Sequence, residues 1–510
     1  MSIFIRKIKT KSGATAVQII RKRGRQVVAL KHIGSAHTPE ELTLLLETAR
    51  KQLRGGQLSL FSEPRKSTSV LALNTSSTFL FQTLQGVYQN LRFDQLKDTV
   101  FEQLVLARLI EPVSKRDTIR VLRELGLKSP SYTSIHRCLQ RIIVRNYRSK
   151  IATLCFQASH PERLSLLLYD VTTLYFEISR EDDFRKSGLS KERRLDPQII
   201  VGLLVDRSGF PLEIHEFEGN LAETKTIIPV VTAFCKRHEL DNHRLTITAD
   251  AGMLSATNLL ELEKADLAFI VGSRIAKTPY EIKELQKSSP SEQLEDNQIF
   301  ETNQPFGYHK EDKIKRRVIY QYKAKRAQLD LANIDRQVAK AQRIIQGQRP
   351  IKKAIFLTLT QSTKPTLNQD LIEEHRLRAG IKGYVTNLPT PKENPKHGVD
   401  PQEIINAYHQ LFQVERSFRM SKSDLKARPI FHHKLDSIRA HLTIVFTALA
   451  IARFIETKTS LSIRKFVRAL MVIRTPTLLI NGTKIKIDPY IPDEVNSVVE
   501  KLNKIRKSGH

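Results

Sequence analysis

The sequence predicts a mixed α/β core that is interrupted by an insertion and preceded by a small β-rich region and a helical region. Three observations predict this. Residues 161–275 read as strand–strand–strand and then strand–helix–strand, the order of a mixed sheet. Residues 75–160 carry helical spacing instead, and strand pattern returns at 381–389 only after 276–380 has broken the rhythm. Of 510 residues 40% are hydrophobic, enough to bury real cores, while 83 Lys+Arg against 53 Asp+Glu leave a formal net charge of +30. Such an excess points to a polyanion, most simply nucleic acid, and says nothing about fold. At about 100–200 residues per domain, the length suggests three or four domains.

Element by element, 1–65 is a basic β-rich region. FIRKIKTK, TAVQIIRKRG and RQVVALKHIG alternate apolar and basic residues around Gly13 and Gly24, which predicts a small sheet with hairpin turns. Thr38-Pro39-Glu40-Glu41 predicts a helix start, with Thr38 as N-cap and Glu41 three residues on. The alternating basic face could lie on phosphates or be a solvated surface. In 70–160, FEQLVLARLIEP and SKRDTIRVLRELGL have helical spacing, and a further helix places Arg137, Arg141 and Arg145 on one face. That suits a helix-turn-helix reader of DNA; an ordinary helical hairpin is the alternative. A core built from 161–275 and 381–460 follows, with 276–380 as an insertion subdomain and 461–510 as a C-terminal appendage containing a hairpin in TPTLLINGTKIKI.

Three cysteines, Cys138, Cys155 and Cys235, exclude a disulfide framework and a Cys-rich zinc module. MSIFIRKIKTKSG lacks the apolar core of a signal peptide. The apolar stretch 442–455 contains Arg453 and falls short of the ~20 residues of a membrane span, so it predicts a buried core helix. The expectation is a soluble, cytoplasmic protein with no membrane partner.

Three acids occupy unexpected places. Asp170 interrupts the apolar strand LLLYDVTTLYF, where a buried carboxylate costs several kcal/mol unless paired or bound to a cation. Asp250 ends RLTITADAG, and Gly252 lets the chain turn off the strand end, where α/β sheets present functional groups. Asp400 and Pro401 predict the start of a helix on which Tyr408, Leu411, Glu415, Phe418 and Lys422 advance by three and four residues and form one stripe. The apolar members turn that stripe inward, so Glu415 points toward the sheet; a salt bridge to Arg419, one turn on, is the alternative. Three converging carboxylates suit phosphoryl transfer by two Mg²⁺ ions, with Mn²⁺ as a substitute, because Mg²⁺ takes hard oxygen ligands and keeps several waters. Each acid alone is weak; together with the net charge they support two-metal phosphoryl transfer.

These residues resemble the DDE transposases of bacterial insertion sequences, in the superfamily of insertion sequence 4 and the branch of insertion sequence 1634. The family signature runs Tyr, two residues, Arg, three residues, Glu, six residues, Lys; here the positions hold Tyr408, Leu411, Glu415 and Lys422. Leu411 replaces the Arg. FEGNLAETKT, IVGSRI, YKAKRAQLDLANIDR, KGYVTNLP and KARPIFHHKLDSIRAH also read like family blocks, so the resemblance spans about 70 to 460. It implies an RNase H-like core, with Asp170 on the first strand, Asp250 after the fourth and Glu415 on the helix that closes the site. It further implies double-stranded DNA as the partner, hydrolysis at the transposon end, attack of the freed 3′-OH on target DNA, a homodimer that synapses two ends, and a bacterial, nucleoid-associated setting.

Secondary candidates follow. Lys422 reads as a phosphate contact or the solvent end of its stripe, Tyr408 as DNA contact or core, and Arg274 and Arg419 as phosphate contacts or surface ion pairs. His432, His433 and His441 lack the spacing of a zinc helix, while Thr172 and Thr173 could bond the Asp170 carboxylate. Two other functions remain open at this level: an RNase H-like nuclease without strand transfer, and a non-catalytic DNA-binding regulator.

Overall fold

Basic and apolar residues alternate along the first strands of the structure, a computed structural model. It describes residues 2–10, 13–54, 70–159, 162, 164–177, 181–188, 196–240, 245–253, 255–273, 279, 282, 284, 294–306, 314–348, 354–358, 365–480 and 483–503. Strands β1 (Ser2–Lys9), β2 (Thr15–Arg23) and β3 (Gln26–Ala36) pair antiparallel. Gly24 sits at φ +62 in the turn between the last two, a conformation that costs glycine little. Alternation puts Val17 and Ile20 of β2 into a small core, and the helix Pro39–Arg54 packs on β2 and β3. That helix starts as its sequence dictates: Glu41 N–H donates to Thr38 Oγ1 at 3.2 Å, and Glu41 Oε2 accepts from His37 N–H at 2.8 Å. Strand β4 (Val70–Ser76) follows; the polar stretch before it lies outside the described residues.

The helical region comprises Thr78–Asn90, Thr99–Ile110, Thr118–Glu124, Tyr132–Val144 and Tyr147–Ala158. Its basic stripe is not all surface. Asp98 caps the Thr99–Ile110 helix and also takes two bonds from Arg141, at 2.8 and 3.0 Å, and one from Tyr147 Oη at 3.0 Å. The Asp98 carboxyl is held below its ordinary pKa because these bonds outweigh its burial. Arg141 is therefore committed internally, while Arg137 and Arg145 stay exposed.

An eight-stranded sheet organises the rest. Its strands are β5 (Leu166–Tyr175), β6 (Gln198–Asp206), β7 (Pro211–Glu218), β8 (Thr246–Ala249), β9 (Ala268–Ser273), β10 (Ile299–Phe306), β11 (Ile314–Tyr322) and β14 (Ile381–Thr386), in the order β10-β11-β14-β9-β8-β5-β6-β7. β5–β8 and β8–β9 pair parallel and every other pair is antiparallel. Residues Gln198 to Val205 of β6 are buried without alternation, so both faces are covered. Part of 276–380, read from sequence as an insertion, extends this sheet: β11 pairs with β14 and β10 with β11. Elsewhere among the described residues of the segment, Ile334 of the helix Ala324–Ile345, Phe356, and Ile372 of the helix Gln369–Leu377 form one cluster beside the short hairpin β12 (Leu357–Thr358) and β13 (Thr366–Leu367).

Residues 401–424 form the helices Pro401–His409 and Phe412–Arg419, then a π-helical turn Met420–Asp424. The helix Leu435–Thr459 is long and apolar enough to cross a membrane by length and composition, yet 89% of its most apolar window is buried within the protein. It packs on the helices Thr99–Ile110 and Tyr132–Val144 and on β7. The C-terminal appendage is divided. The chain separates into one unit of Met1–Phe79 with Ile473–Tyr490 and another of Leu80–Val472 with Ile491–His510. Strand β15 (Thr475–Ile480) pairs with β16 (Thr483–Lys486) as the sequence predicts, and also with β4.

Candidate active site

Parallel pairing fixes two of the three acids. Tyr169 of β5 stands opposite Ala249 of β8, so the next residues, Asp170 and Asp250, come abreast one strand spacing apart, roughly 4.8 Å along the hydrogen-bonding direction. Counted from β5, Asp170 lies on the first strand and Asp250 just past the fourth. The Phe412–Arg419 helix packs on β5 and β6 and carries Glu415. All three acids line one cavity of about 580 Å³.

The stripe read from the sequence faces this cavity throughout: Tyr408, Leu411, Glu415, Phe418 and Lys422 all line it. The chain breaks its helix at 410–411 and passes into π-helical geometry at Met420–Asp424, yet the stripe is kept. Arg419 also lines the cavity and makes no ion pair with Glu415, whose carboxylate has no hydrogen-bond or ion-pair partner among the described residues. Arg274 lies outside the described residues.

The burial argument for Asp170 needs correction. The neighbours Tyr169 and Val171 are buried, but Asp170 is only half-buried, and Asp250 and Glu415 are exposed. Within this strand the residues on either side of Asp170 stay buried while Asp170 itself opens into the cavity, so the carboxylates keep their hydration. Asp170 Oδ1 accepts from Val171 N–H at 2.7 Å.

Tyr408 Oη donates to Asp250 Oδ1 at 2.9 Å. Burial, reinforced by Asp250, pushes the Tyr408 hydroxyl well above its ordinary pKa, so it remains a donor. This approach needs Gly272: a Cβ there would stand 2.5 Å from Tyr408 Oη. Lys382 on β14 was not singled out in the sequence. Its ammonium lies 4.5 Å from the Tyr408 ring centroid. Burial and Arg326 lower its pKa, while Asp250 and Glu415 oppose that shift. The signal was a lysine within the strand pattern IKGYVTNLP. Arg428, also not singled out, lines the cavity as well.

The helix bearing Glu415 is braced from behind. Ser417 Oγ donates to Gly209 O at 3.0 Å, and buried Arg453 donates to Gly209 O at 3.1 Å, Gln413 Oε1 at 2.8 Å and Glu456 Oε2 at 2.9 Å. Chemically, three carboxylates without a soft ligand suit Mg²⁺. Among the described residues, no three acidic, His or Cys groups are gathered closely enough to make a ready-formed metal site; the acids share the cavity without converging.

The comparisons with known proteins follow this geometry. Residues 162–451 match the family model described as "Transposase DDE domain". Among solved structures, the chain is similar to the cryo-EM structure of a piggyBac transposase synaptic complex with hairpin DNA, at 12% identity and a TM-score of 0.36, over 84% of this chain and 74% of that one. No curated protein matches the sequence.

Proposed function

Because the chain belongs to the transposase DDE-domain family, we propose that it binds the terminal inverted repeats of a bacterial insertion sequence, cleaves its ends and joins the freed 3′-OH to target DNA. The observation that carries this reading is the β5–β8 register, which sets Asp170 beside Asp250 in the cavity that Glu415 also lines. These carboxylates would hold two Mg²⁺ ions, or Mn²⁺ in their place, which when bound activate the attacking oxygen and neutralise the leaving one.

The protein's own groups do the rest. Tyr408 ties down one oxygen of Asp250 and leaves the other to face the reacting phosphate. Lys382 offsets repulsion between Asp250 and Glu415 and lines the same cavity, where it would meet a phosphodiester. Lys422 and Arg419 line the same cavity and hold the backbone on either side. Leu411 contributes packing where the family signature has a guanidinium. Two ends must be held together, so the working assembly is a homodimer.

The test uses duplexes that carry the inverted repeats bordering the gene. Mg²⁺-dependent nicking and joining is expected from the parent and lost in Asp170→Asn, Asp250→Asn and Glu415→Gln, with duplex binding retained. Undiminished joining by all three variants overturns the assignment, and nicking without joining by the parent makes the protein a nuclease.

A further inference from the structure

A second cavity in the same unit, about 460 Å³, lies among the Thr99–Ile110 helix, the 112–117 turn, the Tyr132–Val144 helix and the 426–432 segment. Its lining is cationic: Arg108, Lys115, Arg116, Lys426 and Arg428, with Asp117 as the acid among them. Arg108 is buried, and its hydrogen bonds run from Nη1 to the carbonyls of Leu425 at 3.3 Å and Lys426 at 3.4 Å, with no carboxylate partner among the described residues. Lys115 donates to His441 Nδ1 at 3.2 Å, consistent with His441 Nε2–H donating to Ala427 O at 3.0 Å. An ammonium has three donors, so two remain for the cavity. Glu111, the next acid along the chain, is spent on Arg120.

A buried guanidinium without an acid is costly unless an anion enters. Burial lowers Arg108 to about 10, which leaves it charged at neutral pH, and burial together with Arg108 drives Lys115 well below its ordinary value. Arg428 lines this cavity and the one holding Asp170, Asp250 and Glu415. The two cavities therefore adjoin at Arg428. The rim carries exposed Phe431 and Tyr132, ring surfaces suited to the sugar and base beside a phosphate.

We propose that this second cavity holds a backbone phosphodiester of the DNA strand flanking the scissile position, bound by Arg108 and Lys115. The proposal rests on the transposase reading, but its test needs no cleavage, so failure of one is separable from failure of the other.

The first probe is inorganic phosphate. At matched ionic strength, phosphate in place of chloride should raise the melting temperature of the parent and not that of Lys115→Met. The second probe is a duplex of arbitrary sequence, about 30 base pairs long, whose affinity for Lys115→Met should fall roughly ten-fold at low salt and lose about 0.9 from its salt slope for the one phosphate contact. Arg108→Met should behave alike. Lys115→Gln, which keeps a donor for His441, repeats both arms should the Met variant fold poorly. A phosphate effect with an unchanged salt slope makes this a site for free phosphate and overturns the DNA assignment. No phosphate effect and no change in slope overturns the proposal altogether.

Discussion

In the cavity under the Phe412–Arg419 helix, acids and cations face one another: Asp170, Asp250 and Glu415 share walls with Lys382, Lys422 and Arg419. In the cavity beneath the Thr99–Ile110 helix, which Arg108 and Lys115 line, Asp117 is the one acid among the described lining residues. The first arrangement carries charges of both signs, so its carboxylates face cations across the cavity before substrate arrives. The second has fewer acids to offset its cations, which favours an anionic ligand there. Part of the surplus of +30 thus lines cavities as well as the outer surface: Lys382, Lys422 and Arg419 in the first, Arg108, Lys115, Arg116 and Lys426 in the second.

The largest effect that would break this comparison concerns Glu415. Glu415→Gln should cut end cleavage by about a thousand-fold or more, ~4 kcal/mol of transition-state stabilisation, while duplex affinity stays level or rises because a negative charge facing phosphate is gone. Were Glu415→Gln to weaken duplex binding as much as Lys115→Met does, the division of labour would be wrong. Next in size is Arg453→Met. Arg453 joins Gly209, Gln413 and Glu456 behind the helix of Glu415, and the helix it sits on also carries His441 of the second cavity. Removing one partner of such a buried network costs about 3–5 kcal/mol, to be read from urea unfolding. Both cleavage and the phosphate-induced rise in melting temperature should fall together, the only variant for which they do.

The acids were legible because a carboxylate in an apolar run violates the burial pattern, although the reason was misjudged: Asp170 opens into a cavity and is not buried. The 408–422 stripe was legible because three-and-four spacing survives a break at 410–411 and a π turn. What the sequence hid were pairings between distant residues. Arg141 looked like one of three surface arginines until Asp98 claimed it. Strands β10 and β11 read as part of an insertion because 276–380 breaks the strand rhythm with polar and basic stretches, and β11 itself carries Arg316 and Arg317. Both are buried and neutralised by Glu263 and Glu301, at 2.7 and 2.8 Å, and no local pattern announces such partners. Likewise β15 finds β4 across nearly the whole chain.

A smaller effect separates holding from chemistry inside the first cavity. Tyr408→Phe deletes one hydrogen bond to Asp250 and leaves the ring that Lys382 covers. A bond to a charged group is worth about 1.5–3 kcal/mol, but Asp250 is exposed and water can replace the hydroxyl, so a loss near ten-fold in cleavage is expected, with duplex affinity unchanged. Equal losses in both measurements would make Tyr408 a DNA contact rather than a positioning residue for Asp250.

The smallest expected effect is a pH dependence confined to the second cavity. Burial, then Lys115 and Arg108, lower His432 from 6.5 to about 4, and His441 is lowered by the same neighbours. A histidine whose folded value is depressed takes up its proton in the unfolded chain first. Its contribution to stability is therefore complete above about pH 6.5 and is lost progressively as the pH falls toward 4. Urea midpoints measured at pH 7, 6 and 5 should fall in the parent and fall less in His432→Asn. Repeating the series in phosphate sharpens the comparison, because an anion beside Lys115 and Arg108 cancels the repulsion that holds the histidines neutral, and the parent should then lose less stability on acidification. Acid sensitivity identical in phosphate and chloride would mean that no anion reaches these side chains, and that the two cavities differ in charge without differing in use.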